Sequence, residues 1–395
     1  MNHLSLEQAQ QKLLSVLPTL DIDKVPLSGA MHRVLGRDIA APQSLPAGDQ
    51  SAVDGFAVGS ATSSASSSFK MVGHYHLGDL PIRPLQADEA AKVSTGGCLP
   101  PGTHAVVPHE KTSLNQDTLL VGEKVKPGQN IKRTGEDYCQ GEVMVNANTW
   151  LDAGCIALLA AMGLDSIPVY RKPRAAILSL AANVVSGPVN ITPGQTRDSN
   201  GPMLAALVQQ QGGKVMAVEK AVSGEESSQL LKLLNEADIV ICTGGSYMED
   251  DSEARQLFQT IGAKQLYWDV AVQPGSHNGA ASWQTRLLFA LSGNPAACFV
   301  GYHLFVAPVL RTMLGQQDEG FRVVARCVNG FNKAANTRRL VRGRARRTKT
   351  GWEVTVLPGQ KPSMLRSLLN CNALIDIPAG SPAVDVGANV EVLLL

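Results

Sequence analysis

The first part of the chain combines a helical pattern with a series of short β-like patterns. Ser5 and Gln8 form a capping box ahead of apolar residues at helical spacing, which predicts a helix over residues 6–17. Short β-like runs broken by Gly, Pro and Ser follow at 69–72, 105–107 and 118–121. Helical spacing returns over 151–162 and ends at a glycine. We therefore expect a β-rich insert inside a discontinuous N-terminal domain.

Between residues 172 and 315, continuous apolar runs alternate with amphipathic segments. The strand-like runs are 175–180, 214–218, 238–242 and 287–291, and the helix-like segments are 201–211, 226–236, 252–261 and 295–314. This alternation predicts a mostly parallel sheet that helices cover on both faces. After residue 319, short strands and turns continue to Leu395, which predicts a terminal β-barrel or small sheet.

These patterns predict a multi-domain protein of the α/β plus β class. We expect an N-terminal domain, a β-rich insert, a central α/β domain and a small C-terminal β domain, with boundaries at 1–44 and 139–171, 45–138, 172–318 and 319–395. A length of 395 residues supports this organisation, because single cores rarely grow beyond about 300 residues.

Composition and charge exclude several classes of protein. Hydrophobic residues make up 44% of the chain and charged residues 17%, which excludes wholesale disorder. The formal net charge of +1 provides no global field for nucleic acid or an anionic membrane, so an anion site must be local. The seven cysteines include no Cys-x-x-Cys pair, which argues against a disulfide framework or a zinc ribbon. No apolar run reaches the length of a membrane span, and the polar N-terminal segment indicates a cytoplasmic protein.

Open α/β sheets bind ligands at the carboxyl ends of their strands, so the turns after the apolar runs are the candidate sites. The run over 238–242 leads into Thr-Gly-Gly-Ser at 243–246, where two glycines allow backbone amides to approach a phosphate or oxyanion. Acidic residues follow at 249–251, and carboxylates beside a bound phosphate can hold Mg²⁺. The alternative is an ordinary glycine turn before a solvated, acidic helix start.

Two further turns at this edge carry polar residues. The run over 287–291 ends in Ser-Gly-Asn-Pro at 292–295, where Asn294 is a candidate N-cap and Pro295 the first helical residue. A helix N-terminus then faces the crevice, although the pattern also fits a helix start with no ligand. The run over 175–180 leads into a loop over 181–200 that is long enough to bind a ligand.

Two other features are better explained without a ligand site. His74 and His76 share one face of a strand, which is half of a metal site, but no third ligand lies near in sequence and we favour a surface pair. Residues 338–349 contain seven Lys or Arg and no acid. A nucleic-acid groove is one interpretation of this run, and a solvated strand face or a local anion patch is the favoured one.

Taken in chain order, these turns resemble those of the molybdopterin molybdenumtransferases, the family of MoeA and the gephyrin E domain. The matching blocks are Gln-Ser-Ala-Val-Asp-Gly-Phe-Ala-Val at 50–58, Ser-Thr-Gly-Gly at 94–97, Leu-Pro-Pro-Gly at 99–102, Arg-Thr-Gly-Glu-Asp at 133–137, Gly-Gln at 194–195, Asp-Ser-Asn at 198–200, Asp238 with Thr-Gly-Gly-Ser at 243–246, and Ser-Gly-Asn-Pro at 292–295. Residues 352–395 resemble the last β domain of the family. The resemblance covers nearly the whole chain, and the order of the blocks makes it specific.

The resemblance implies a molybdopterin-binding α/β domain, four domains in all, and an elongated homodimer. It implies molybdenum cofactor biosynthesis, in which molybdate is inserted into adenylylated molybdopterin with Mg²⁺ and AMP is released. A molybdoenzyme or another enzyme of cofactor synthesis is a further implied partner. The implied catalytic residues are Asp54, Thr95, Asp137 and Asp238, facing one another across a cleft, and the implied metal ligands are Asp250 and Asp251. The implied substrate-binding residues are Arg133, Ser199, Asn200, Gly244, Gly245, Ser246, Ser292, Gly293, Asn294 and Pro295.

The chain departs from the family pattern at three places in this cleft. Where the family has Ser-Thr-Gly-Asp-Glu-Leu, residues 179–184 read Ser-Leu-Ala-Ala-Asn-Val, so both carboxylates are missing. The last acid of the glycine-turn block is displaced or lost within 244–252, and Lys-Pro-Gly-Lys-Pro becomes Gln-Pro-Gly-Ser-His at 273–277. Two hypotheses follow: a working molybdenumtransferase, or a catalytically weak paralogue that binds molybdopterin or a partner enzyme as carrier, scaffold or regulator. An unrelated nucleotide-dependent α/β enzyme would require the ordered blocks to be coincidence.

Overall fold

The structure, a computed structural model, describes residues 4–17, 20–60, 67–245, 252–315 and 321–395. It divides into two compact units. The first consists of Met1–Gly36, Asn148–Asp152 and Ser166–Leu395, and the second of Arg37–Ala147 and Ala153–Asp165. The finer division into four domains stays a prediction.

The first helix, Leu6–Leu14, begins as its capping box predicts. The Ser5 hydroxyl accepts a hydrogen bond from the Gln8 amide, and the Gln8 side chain accepts one from the Ser5 amide. The Ser15 amide bonds back to the Gln11 carbonyl and closes the helix, which therefore ends three residues before its predicted boundary.

A six-stranded sheet forms the centre of the first unit. Its spatial order is Lys214–Lys220, Arg174–Ser179, Ile239–Thr243, Arg286–Leu291, Gly279–Trp283 and Lys264–Trp268. The first four strands run parallel to one another, and Gly279–Trp283 pairs antiparallel with the neighbour on each side of it. The predicted mostly parallel sheet is thus confirmed. The helices of this part are Asn200–Gln210, Glu226–Glu236, Glu253–Thr260, Pro295–Gly301 and Ala307–Met313.

Helices cover both faces of the sheet because both faces are apolar. Ile177 belongs to the core on one face together with Leu204 of the Asn200–Gln210 helix. Its neighbour Leu178 belongs to the core on the other face, together with Leu230. Each of these side chains is fully buried, which stabilises the fold by roughly 2 kcal/mol per residue.

The sequence pattern does not predict the last two strands of the sheet, which pair with each other antiparallel. Lys264–Trp268 has polar side chains at its exposed positions, and Gly279–Trp283 consists mostly of small residues. Neither therefore shows the continuous apolar run of a central strand. The second of them turns back into Arg286–Leu291 through Gln284, which has a φ of 51°.

One helical stretch, Pro295–Met313, is apolar and long enough to cross a membrane by length and composition alone. Of its most apolar window, 78% is buried inside the protein, which is typical of a core helix. A π-helical segment, Tyr302–Val306, interrupts it.

The C-terminal part of the first unit is a closed β-barrel. Its strands, in order of pairing, are Arg338–Thr348, Gly351–Val356, Arg322–Cys327, Asn389–Leu394 and Ala373–Ile377. The barrel closes because the last of these strands pairs with both the fourth and the first. A short strand from the α/β part, Val272–Gln273, pairs in parallel with the start of Arg338–Thr348 and joins the two parts.

The second unit is built mainly from strands. Its six-stranded sheet has the order Ala105–Pro108, Gly55–Val58, Glu89–Val93, Ser67–Tyr75, Thr118–Val121 and Thr112–Asn115. It also contains the strand pairs Gln50–Ser51 with Ile131–Lys132 and Ile39–Ala40 with Val143–Val145, and the helix Ala153–Ala161. The prediction that this region is rich in β-strands is thus confirmed. The remaining elements, in the first unit unless stated, are the strand pairs Ile22–Pro26 with Ser166–Tyr170 and Val184–Val185 with Thr196–Arg197, and the 3₁₀ turns Leu27–Gly29, His109–Lys111 (second unit) and Leu365–Leu368.

Candidate functional site

A cleft of about 1550 Å³ lies in the first unit, between the carboxyl ends of the parallel strands and the β-barrel. The crossover after Arg174–Ser179 runs to the edge strand Lys214–Lys220, and the next crossover returns to Ile239–Thr243 on the other side. The chain therefore continues to one side of the sheet after Arg174–Ser179 and to the other side after Ile239–Thr243. Open α/β sheets bind ligands between two such strands.

The glycine turn after Ile239–Thr243 lines this cleft and leaves no space for side chains. Gly244 and Gly245 have φ values of 82° and 63°, in the left-handed region that favours glycine. A Cβ at position 244 would lie 3.1 Å from the Cβ of Ala181 and 3.2 Å from the Ala181 amide nitrogen. A Cβ on Gly293 would in turn lie 3.2 Å from the α-carbon of Gly244. The turns at 244 and 293 therefore pack backbone against backbone.

Asn200 links three of the predicted segments. Its Nδ2 donates hydrogen bonds to Thr243 Oγ1 at 2.8 Å and to the Gly293 carbonyl at 3.0 Å. The Thr243 hydroxyl also donates to the Ser292 carbonyl at 3.2 Å. Asn200 and Thr243 are 7% and 2% exposed, so this network is shielded from water. It fixes the relative positions of the turns that follow two adjacent strands.

The Ser292–Pro295 turn differs in detail from its prediction. Asn294 occupies the N-cap position, but its side chain makes no capping hydrogen bond. Its amide instead donates to the Ser292 hydroxyl at 3.2 Å. The Ala296 amide donates to the Pro362 carbonyl of a barrel loop at 2.9 Å, so one of the free helix amides is already occupied.

The loop before helix Asn200–Gln210 also lines the cleft. Asp198 Oδ1 accepts a hydrogen bond from the Gly201 amide at 2.9 Å, and it therefore caps the helix in place of the Ser199 side chain. Arg197 donates to the Gly187 carbonyl at 2.7 Å, which closes the loop on itself.

The described lining of the cleft is cationic. It contains four Lys or Arg side chains and one carboxylate, namely Arg197, Lys333, Arg339, Lys361 and Asp198. The sequence analysis did not single out Lys333, Arg339 or Lys361 as site residues, because all three come from the barrel. The basic run over 338–349 was the available signal, but the run alone does not show which of its members faces the α/β domain.

In the second unit, Asp54 and Thr95 lie together. Asp54 Oδ1 accepts a hydrogen bond from the Thr95 amide at 2.9 Å, and both residues are exposed. The backbone of Ser51 bonds to both Gly96 and Gly97 and so holds the two turns side by side. Two of the predicted catalytic residues thus share one surface.

Arg133 and Asp137 belong to a turn that the same region anchors. Arg133 Nη1 pairs with Asp49 Oδ2 at 2.6 Å, and Asp49 also accepts a hydrogen bond from the Thr134 amide at 2.9 Å. Burial would raise the pKa of Asp49, but its hydrogen bonds from Thr134 and Arg133 keep that pKa below its usual value. Asp137 is exposed, and its amide bonds to the Leu45 carbonyl.

The expected position of Asp238 in the cleft is wrong. Asp238 precedes strand Ile239–Thr243, so it lies at the amino edge of the sheet, about 17 Å from the glycine turn at a strand rise of ~3.3 Å per residue. It is 1% exposed and is paired with Arg171 at 2.6 Å and Arg286 at 2.7 Å. Burial would raise the pKa of its carboxyl, but the hydrogen bonds from Arg171 lower it below the usual value. These contacts are those of a structural ion pair.

The described residues do not fit a Mg²⁺ site. Over 4–17, 20–60, 67–245, 252–315 and 321–395, no group of three His, Cys, Asp or Glu side chains is arranged to hold a metal ion. The only described carboxylate that lines the cleft, Asp198, is used as a helix cap. His74 and His76 form a pair with ring centroids 4.2 Å apart. The predicted metal ligands Asp250 and Asp251, like Ser246, lie outside the described residues.

Comparisons with known proteins agree with this architecture. Three family profiles match successive parts of the chain: the MoeA N-terminal region (domain I and II) over 4–163, a probable molybdopterin binding domain over 176–312, and the MoeA C-terminal region (domain IV) over 324–395. The crystal structure of the molybdopterin biosynthesis MoeA protein from Pyrococcus horikosii superposes with a TM-score of 0.87 at 26% identity, and covers 100% of this chain and 99% of that one.

Full-length relatives are similar in sequence. The molybdopterin molybdenumtransferase of Staphylococcus epidermidis is 30% identical, over 99% of this chain and 95% of the relative. That of Staphylococcus aureus strain MRSA252 is also 30% identical, over 100% and 96%. Because the likeness extends over both units and nearly the full length of these relatives, the chain belongs to the molybdopterin molybdenumtransferase family, a family of transferases in molybdenum cofactor biosynthesis.

Proposed function

We propose that this protein inserts molybdate into adenylylated molybdopterin and releases AMP. The observation that carries the proposal is the cationic cleft at the strand ends, with four basic side chains, one carboxylate and two glycine-shaped turns. Molybdate and the phosphates of adenylylated molybdopterin are anions, and charge-assisted hydrogen bonds from Lys and Arg bind such groups strongly. In the proposed reaction, molybdenum forms bonds to the two dithiolene sulfurs, and one molybdate oxygen leaves as water with the two thiol protons. A second water molecule cleaves the phosphoanhydride and gives AMP and the phosphate of molybdopterin.

The proposed substrate-binding residues of the first unit have two kinds of role. Gly244, Gly245 and Gly293 keep the floor of the cleft free of side chains, so that a ligand approaches the backbone. Ser199, Asn200, Ser292, Asn294 and Pro295 belong to the turns that shape it.

We propose that Asp54, Thr95 and Asp137 of the second unit take part in the reaction, with Arg133 binding a substrate anion. Their exposure and the shared surface of Asp54 and Thr95 support this proposal. Exposed carboxylates can position water or accept a proton, and a guanidinium can bind phosphate oxygens. A homodimer in the cytoplasm, and binding to a molybdoenzyme or another enzyme of cofactor synthesis, are part of the same proposal and rest on the family.

Mg²⁺ stays a prediction of the family resemblance. The described residues do not form a site for it, so we assign it no role in any step.

The second hypothesis, a catalytically weak paralogue that acts as carrier, scaffold or regulator, has one specific observation in its favour. Ala182 and Asn183 stand where the family pattern has its Asp and Glu, and Asn183 lines the cleft without a charge. Such a protein would bind molybdopterin without turning it over.

A single-turnover incubation with adenylylated molybdopterin, with and without molybdate and Mg²⁺, distinguishes the two functions. We expect AMP and incorporated molybdenum in equal amounts, and only when molybdate is present. Tight binding with AMP at the background level would reject the transferase and favour the carrier. The arm without Mg²⁺ tests whether the reaction needs the metal.

A further inference from the structure

Two arginines on the same barrel strand as Arg339 are neutralised by carboxylates, whereas no described carboxylate pairs with Arg339. Arg338 pairs with Asp376, and Arg346 pairs with Glu353. Arg339 forms no ion pair within the described chain, and its side chain lines the cleft. Its charge is therefore available to a ligand.

The position of Arg339 is fixed from three sides. Its backbone is in register with Gln273, through the short strand that joins the α/β part to the barrel. Its Nη2 donates to Gln273 Oε1 at 3.2 Å, and its guanidinium carbon lies 5.8 Å from the centroid of the Phe331 ring. Its Nε is buried without a hydrogen-bond partner among the described residues. A buried donor without a partner is costly, and the terminal N–H groups of this guanidinium are the ones that can donate to an anion in the cleft.

The contact with Gln273 places the guanidinium of Arg339 beside a position where the family pattern has a lysine. Residues 273–277 read Gln-Pro-Gly-Ser-His where the family pattern has Lys-Pro-Gly-Lys-Pro, so this segment contributes no lysine to the cleft. The guanidinium of Arg339 donates to the side chain at 273 from the neighbouring strand. A cation from the barrel therefore lies beside the position at which the family pattern has a lysine.

We propose that Arg339 binds a tetrahedral dianion in this cleft and replaces the charge that residue 273 does not provide. The inference rests on the proposed function and extends it to a residue of the barrel. A planar guanidinium presents several N–H donors in a fixed fork, which matches two oxygens of such an anion. Lys333 and Lys361 line the same wall and add positive charge to it. Molybdate and the phosphate of AMP share this chemistry.

Isothermal titration of the full chain with molybdate alone, and with AMP alone, tests the proposal and identifies the anion. We expect Arg339→Gln to raise the Kd of one of them at least tenfold, and Arg339→Lys to raise it less, because it keeps the charge. The decisive variant is the pair Gln273→Lys with Arg339→Gln, which returns the cation to position 273. We expect this pair to recover affinity to within about threefold of the wild type.

Arg344→Gln is the matched control, because Arg344 is exposed on the same strand and does not line the cleft. Unchanged thermal unfolding of each variant shows that the fold is intact. Equal affinity of Arg339→Gln and wild type, or an equal loss in Arg344→Gln, overturns this inference and leaves the proposed function standing. A wild type that binds neither anion overturns both.

Discussion

Asn200 Nδ2 donates a hydrogen bond of 2.8 Å to Thr243 Oγ1, and this contact joins the start of one helix to the end of a neighbouring strand. Both residues are buried, and the same amide also holds the Gly293 carbonyl. A single side chain thus sets the geometry of two backbone turns in the cleft. The shape of the site therefore depends on a polar network inside the fold.

Asn200→Ala should weaken this network. Thr243 and the Gly293 carbonyl would lose a buried donor, which costs about 1–3 kcal/mol of unfolding free energy. Anion affinity should fall as the turns relax. Denaturant unfolding and titration with molybdate or AMP measure the two effects. Asn389→Ala, at an exposed barrel position, should change neither.

Gly244→Ala should cost more than its backbone angle alone explains. Gly224 has a similar φ of 84°, but a Cβ there meets nothing within 4 Å, so Gly224→Ala measures the angular strain of about 1 kcal/mol. At Gly244 the added methyl also meets Ala181 at 3.1 Å. We expect a larger loss in unfolding free energy, and weaker anion binding only for Gly244→Ala. Equal losses in both variants would show that the close approach has no effect.

Asp238→Asn should destabilise the protein without acting on the cleft directly. Removing the charge leaves the buried Arg171 with only the exposed Asp21 as an anionic partner, a loss of about 3 kcal/mol at pH 7. Because the folded pKa is lowered, this contribution is present above pH ~4 and is lost as the pH falls through the folded pKa. The difference between variant and wild type in denaturant unfolding should therefore shrink below pH 4. The exposed Asp385→Asn provides the control.

His303 should make stability depend on pH in the weakly acidic range. Burial, assisted by Arg311, lowers the pKa of His303 to about 3. Between pH 6.5 and 3 only the unfolded chain binds this proton, so stability should fall by up to about 1.4 kcal/mol for each pH unit as the pH decreases. His303→Phe should remove this slope, while the exposed His76→Phe should keep it. Unfolding midpoints between pH 4 and 7 provide the measurement.

Asp54→Ala and Asp137→Ala should each lower AMP release at least a hundredfold if the proposed roles are correct. Asp54→Asn separates two effects, because it retains an acceptor for the Thr95 amide but lacks the charge. We expect it to be as inactive as Asp54→Ala. Asp88→Ala, at another exposed acid of the second unit, should leave the rate unchanged. Full activity in either variant at 54 or 137 would remove that residue from the site.

The elements whose pattern is local can be predicted from the sequence alone. The capping box starts the first helix at Leu6, and the Glu226–Glu236 helix matches its predicted bounds. Continuous apolar runs predicted the central parallel strands, because a sheet covered on both faces needs apolar residues on both. The glycine turn and the Ser-Gly-Asn-Pro turn were found because strand ends mark the ligand edge of such a sheet.

The features that depend on partners distant in sequence appear only in the folded protein. Asp238 and Thr243 lie at opposite ends of one strand. Only the ion pairs of Asp238 with Arg171 and Arg286 show that this carboxylate has a structural role. The basic run over 338–349 shows no difference between Arg338 and Arg339 in sequence. Register with Gln273 directs Arg339 to the cleft, whereas Asp376 neutralises Arg338. The sequence shows which side chains are charged. Whether a charged side chain is paired or free depends on the side chains that folding brings beside it.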